Sequence, residues 1–159
     1  MAENYPPRPG TYVGTAVMWQ WWGSKCATDD NLTTVEAAGV RVRVRREAAL
    51  AVTHLLLRLR RSGAVLDPPT TGAFNCRRIR GSGLWSLHGL GTAVDISWNA
   101  NPYGTLTRLQ IPAAAVRDVQ ELRLPGTTQP LWAWGGHWYT PDGMHWQLNC
   151  RPSELGWVR

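Results

Sequence analysis

The sequence predicts an α+β fold: a small antiparallel sheet with helices packed on one side. Three observations predict it. Residues of alternating character recur in short runs, at Val40–Val44, Thr92–Trp98 and Met144–Leu148. One longer run, Ala48–Leu59, carries its apolar residues at helical spacing instead. Pro/Gly-rich stretches separate these runs, and short strands mixed with helices make an α+β domain. At 159 residues the chain fits one domain and is long enough to bury a core without staples. The expected organisation is a flexible leader over 1–15 and a single domain over 16–159.

Taken in order, the leader contains three prolines and no apolar segment of the signal-peptide kind. The apolar run Ala16–Trp22 is far too short to span a bilayer. Val40, Val42 and Val44 alternate with Arg41, Arg43 and Arg45, the pattern of a strand with one buried face and one wet face. From Arg46 the period changes. Ala49, Val52, Leu56 and Leu59 form a helical stripe widened by Ala48 and Leu55. Arg58, Arg60 and Arg61 suit the C-terminal end of the helix dipole, and Gly63 closes the helix. His54 lies off the stripe and reads as a surface histidine. Asp67–Gly72 is a turn-rich linker. Ile111–Leu124 reads as a short helix with Pro112 in its first turn and Ala115, Val119 and Leu122 inward. Trp132–Tyr139 is aromatic and glycine-rich, as a groove wall would be.

The chemistry concentrates in Ser86–Asp95. His88 and Asp95 stand seven residues apart with Gly89 and Gly91 between them. On a helix that spacing puts two turns between the side chains. A turn feeding a strand can bring them together, and the two glycines tolerate the left-handed backbone of a tight turn. In the strand that follows, Val94, Ile96 and Trp98 share one face, and Asp95 points to the other. A second alternating run begins at Asp142, with Met144, Trp146 and Leu148 on one face and His145 and Gln147 on the other. If the two strands are neighbours, His88, Asp95 and His145 converge. Two imidazoles and a carboxylate with a fourth position open is the composition of a catalytic zinc site. An unpaired carboxylate inside a strand of valine and isoleucine is costly, which argues for a cation beside Asp95. His137 is the rival to His145, but it sits in an aromatic loop and has no acid three positions ahead. Asp142 has the right offset from His145 to act as general base. Zinc would lower the pKa of its bound water from near 16 to about 7 and polarise a carbonyl.

The string S-x-H-x-x-G-x-A-x-D at 86–95, followed by D-x-M-H-W at 142–146, resembles the zinc D-Ala-D-Ala carboxypeptidase and L-alanyl-D-glutamate endopeptidase family, in the manner of its phage-lysin-like members. Cys76-Arg77-Arg78-Ile79-Arg80-Gly81 is similar to that family's approach to the first motif, and Asn101-Pro102-Tyr103 and Trp134–Trp138 to its later landmarks. The first motif fixes five positions, and a chance match in a chain this long is on the order of 10⁻⁴. The resemblance runs from about Gln20 to Leu155. It implies hydrolysis of peptidoglycan stem peptides with a Zn²⁺ cofactor, and Asp142 at the family's Glu/Asp base position. It also implies Arg77 as the cation facing the oxyanion, with Arg78 and Arg80 as neighbours able to take that place. Ser86, Arg80 and Trp138 are candidate substrate-binding residues, and Ser86 suits a turn-forming role equally well.

The bulk numbers set the remaining expectations. The net charge is +6 with a pI of about 9.9, and there are ten Trp against one Phe. Either the bacterial wall or nucleic acid could attract such a surface; the arginines of 41–46 read as the wet face of an edge strand, so no nucleic-acid partner and no membrane insertion are expected. Several Trp are expected to line a groove. Three cysteines allow one disulfide and a free thiol, or three thiols. Without a signal peptide, the protein is expected in the cytoplasm of the producing cell or on a virion, reaching the wall after release. Two competing readings differ in class. One is a non-catalytic wall or nucleic-acid binding module. The other is a non-haem iron oxygenase, which shares the ligand set but uses an eight-stranded core and places its first His and acid close together.

Overall fold

The structure is a computed structural model and describes residues 4–156. It contains helices and two small antiparallel sheets, where the sequence suggested one sheet. The first sheet is a hairpin of β1 (Leu32–Ala37) and β2 (Val40–Arg45), paired from Leu32↔Arg45 to Ala37↔Val40. Its two-residue turn, Ala38 and Gly39, has positive φ at both positions (53° and 81°), which suits the right-handed twist of the strands it joins. Val40, Val42 and Val44 are buried and Arg41 and Arg43 exposed, as the alternation requires. Those arginines pair locally, Arg41 with Glu36 and Arg43 with Asp29, so β2 does not present a free basic stripe. The sequence reading has no counterpart for β1. Within it Leu32 and Val35 are buried, a spacing of three that hides a period of two.

Helix α2 (Ala49–Arg61) follows a 3₁₀ turn at Arg46–Ala48 and buries Ala51, Val52, Leu55, Leu56 and Leu59. It ends in a Schellman motif: Gly63 N–H donates to Arg60 O and Ala64 N–H to Leu59 O, with φ of 95° at Gly63. Helix α1 (Thr15–Trp22) contains the apolar run that the sequence marks only as too short for a membrane. Among the described residues no helix is long and apolar enough to cross one. Helix α3 is shorter than the stripe suggests, Ala113–Gln120 rather than Ile111–Leu124. Beyond it the chain turns back, and Leu122 O accepts from Leu131 N–H. Residues 4–14 lie along the domain through bonds such as Thr11 N–H to Gln129 Oε1 and Val13 N–H to Asn149 Oδ1.

The second sheet positions the site. Its order is β3 (Ala93–Asp95), β5 (His145–Leu148), β4 (Trp132–Trp134), antiparallel throughout. β3 is shorter than Thr92–Trp98 because Ser97 takes a φ of 45° and turns the chain, leaving Trp98 40% exposed. The central strand β5 is buried along its whole length. Trp132, Trp134 and Trp146 are fully buried, and Trp134 stacks on Trp146 with 5.8 Å between centroids. The aromatic run 132–139 is therefore mostly core, and only its end, Trp138 and Tyr139, reaches a groove.

Cys26 and Cys76 form a disulfide, and Cys150 is free and buried. Burial pushes the Cys150 thiol up to about 12, with the Glu154 carboxylate adding to it. The bridge spans a separation of 50 residues; closing a loop of that size stabilises by about 4 kcal/mol. Helices α2 and α3 are pinned by Asp118, whose carboxylate accepts from Arg58, Arg61 and Ser62 at 2.7–2.9 Å. Burial raises its pKa, but the Ser62 hydroxyl and the Arg61 and Arg58 guanidiniums outweigh it and hold the group below its ordinary 3.8. Its stabilisation is thus full above that value and is lost as pH falls through the depressed folded pKa. Asp118→Asn is expected to cost about 1–3 kcal/mol at pH 7. Thermal melts should show the gap to wild type closing as the pH is taken below 3.8.

Candidate metal centre

Ser86 caps the 3₁₀ turn Leu87–Leu90, its Oγ accepting from His88 N–H at 3.3 Å. Gly91 then takes φ of 74° and reverses the chain into β3. A Cβ there would lie 2.6 Å from Arg45 N, so Gly91 is needed for both its conformation and its clearance. Gly89 differs from the expectation: its φ is not positive, and its role is clearance. A Cβ at Gly89 would come 2.9 Å from Cys26 Sγ, while its carbonyl accepts from Ala27 N–H. The disulfide thus lies directly against the turn that carries His88.

Antiparallel register makes Asp95 and His145 direct partners across β3 and β5. On its other edge Asp95 exchanges both backbone hydrogen bonds with Gly72. That pairing brings Ala73 O to His88 Nδ1, at 2.7 Å. The inner atoms converge: His88 Nε2 to Asp95 Oδ2 is 3.1 Å, His145 Nδ1 to Asp95 Oδ1 is 3.1 Å, and the two ring nitrogens are 3.2 Å apart. Ligands on a tetrahedron with bonds of about 2.0 Å are separated by about 3.3 Å, so the donor set has the dimensions of a metal site. Its chemistry fits as well. A carbonyl only accepts, so His88 Nδ1 carries its proton and Nε2 is bare. His145 Nε2 lies 2.9 Å from Gln147 Oε1, an acceptor again. With both rings neutral, two lone pairs and a carboxylate face one another with no donor between them, an arrangement that a cation satisfies. His88, Asp95 and His145 form a group that could hold a metal ion. Burial acts to raise the Asp95 pKa; a proton on the inner nitrogen of His145 or His88, donated to the carboxylate, would instead hold it well below the usual carboxylate range, as a cation in the same place would.

These residues line a cavity of about 680 Å³, together with Arg77, Arg80, Ser86, Trp138, Asp142 and Tyr103. Trp138 packs against the His145 ring, with centroids 4.9 Å apart. Asp142 Oδ1 is buried without a hydrogen-bond partner. Burial raises the Asp142 pKa; His145 opposes this and the nearby Asp95 carboxylate adds to it. Arg78 turns away, stacked 4.4 Å from the Trp85 ring centroid and donating to Gly83 O.

Residues 80–148 match the family model described as D-alanyl-D-alanine carboxypeptidase. Over this segment the chain is similar to the D-alanyl-D-alanine carboxypeptidase family. The segment holds His88, Asp95, Asp142 and His145, and the match supports a peptidoglycan-related metallopeptidase in general. No curated protein and no solved structure gives a match to the chain.

Around this family-matched segment the remaining histidines are committed elsewhere. His137 has Tyr12 Oη 2.7 Å from Nδ1 and Pro6 O 2.8 Å from Nε2, outside the cluster. His54 is exposed on α2. Sequence reasoning gave no role to three features. Gln147 falls on the His145 face, a placement the alternation shows. Ala73 contributes only a carbonyl, which leaves no trace in a sequence. Gly135 clears space: a Cβ there would meet Asp142 O at 2.5 Å and the Cβ atoms of Asp142 and His145 at 3.1 Å. Its own carbonyl accepts from Asp142 N–H and Trp138 N–H. Gly135→Ala should therefore shift Asp142 and His145 together. Divalent-metal affinity, read by competition with a chromogenic chelator, should fall about 10-fold or more.

Proposed function

We propose that residues 16–159 form one catalytic domain, a zinc metallopeptidase that hydrolyses peptide bonds in bacterial peptidoglycan stem peptides, and that it is a cell-wall lytic enzyme. The observation that carries this reading is the convergence of His88, Asp95 and His145 in one cavity with Asp142, inside the family-matched segment. Three protein ligands leave a fourth position open, as in catalytic zinc sites. A zinc ion there would supply Lewis-acid polarisation of the scissile carbonyl and acidify a water. Asp142 takes the proton from the attacking water and passes it to the leaving amine. Its upward-shifted pKa suits a group that both gains and loses a proton in each turnover. Arg77, on the cavity wall, supplies a fixed positive charge to the oxygen that becomes anionic. Arg80, Ser86 and Trp138 hold the stem peptide.

The iron-oxygenase reading uses the same donor set. The described residues form five strands in two small sheets rather than an eight-stranded core, and the segment matches a peptidase family; both favour hydrolysis.

Purified muropeptides should lose D-Ala or be cut between L-Ala and D-Glu, as read by mass spectrometry, and the fragments identify the bond. Chelation should abolish cleavage and added zinc restore it. Asp142→Asn should lower kcat by about 10²–10⁴-fold while metal content stays at the wild-type level. Full cleavage by the chelated protein or by His88→Ala would refute the assignment.

A further inference from the structure

We propose that Gln147 is a positioning residue that fixes the tautomer of His145 and thereby offers a bare Nδ1 to the metal. The inference rests on the metal reading of the site, and it is independent of which bond is cut.

The two imidazoles solve the same problem differently. A neutral ring carries one proton on two nitrogens, and the outer partner decides which nitrogen keeps it. For His88 the outer partner is Ala73 O, a backbone carbonyl. For His145 it is Gln147 Oε1, at 2.9 Å from Nε2. Gln147 follows His145 by two positions in β5, so both side chains leave the same face of the sheet. Its neighbours in register are Ala93 on β3 and Ala133 on β4. Two alanines leave the long amide room between them, and Gln147 is 5% exposed.

Without the Gln147 oxygen nothing in this arrangement holds the proton on Nε2. Asp95 Oδ1 lies 3.1 Å from Nδ1 and is a strong acceptor, so the proton would move to Nδ1. A cation would then have to displace it. Losing an outer partner of a ligating histidine typically weakens metal binding about 10–100-fold.

The test compares wild type, Gln147→Leu and Gln147→Glu. Zinc affinity is measured by chelator competition, and the ring tautomers by ¹⁵N NMR on the metal-free protein at a pH where the rings are neutral. Wild type should show a protonated His145 Nε2. Gln147→Leu should bind zinc about 10–100-fold more weakly, with the proton found on Nδ1, and Gln147→Glu, which keeps an acceptor oxygen, should restore both. A wild-type ring protonated at Nδ1 overturns the proposal without any variant. So does a folded Gln147→Leu protein with unchanged affinity, or one whose affinity falls while the tautomer stays. Gln147-dependent zinc binding in a protein that leaves muropeptides intact would sustain this inference and defeat the peptidase reading.

Discussion

The pairing of Asp95 with His145 across β3 and β5 is the constraint on which the rest of the molecule depends. Side chains alternate along a strand, so a slip of one residue would send His145 and Gln147 into the core and Trp146 into the cavity. The opposite face guards against that slip. Trp146 is fully buried and stacked on Trp134, and a large indole in a close-packed core has no alternative seat. Gly72 fixes the outer edge of β3, and the same contact delivers the carbonyl that orients His88. Core packing and site geometry are therefore two faces of one sheet.

The electrostatics follow from that geometry. Burying two imidazoles beside a carboxylate is costly unless their charges and lone pairs are matched. Within the cluster each histidine's outer nitrogen is matched by an oxygen, whereas the Asp95 carboxylate and the two inner nitrogens face one another. What is left over points inward, to one place. Much of the basic charge is spent locally by contrast: Arg41, Arg43, Arg58 and Arg61 pair with acids of the same chain, whereas Arg77 and Arg80 line the cavity.

The sequence makes some of this legible and hides the rest for physical reasons. Strands with one buried and one wet face, such as β2, announce themselves by alternation, and α2 by its stripe and closing glycine. The meeting of His88, Asp95 and His145 is legible because Asp95 and His145 take the polar side of two alternating strands, and His88 precedes the first of them across a glycine-containing turn. β1 is hidden because only two of its residues are buried, at a spacing that mimics another period. The length of β3 is hidden because Ser97, a residue that rarely adopts positive φ, ends it. Gly89 illustrates a subtler gap. The sequence shows that a glycine stands there, but only packing shows that it makes room for a sulfur atom instead of bending the backbone.

The burial of Trp132, Trp134 and Trp146 has an optical consequence. Indoles shielded from water emit at shorter wavelength than solvated ones, and these three lie on the two strands β4 and β5. The short-wavelength part of the intrinsic fluorescence therefore includes a report on the sheet that presents His145, while Trp138, packed on the His145 ring at the cavity wall, adds a signal sensitive to what enters the site.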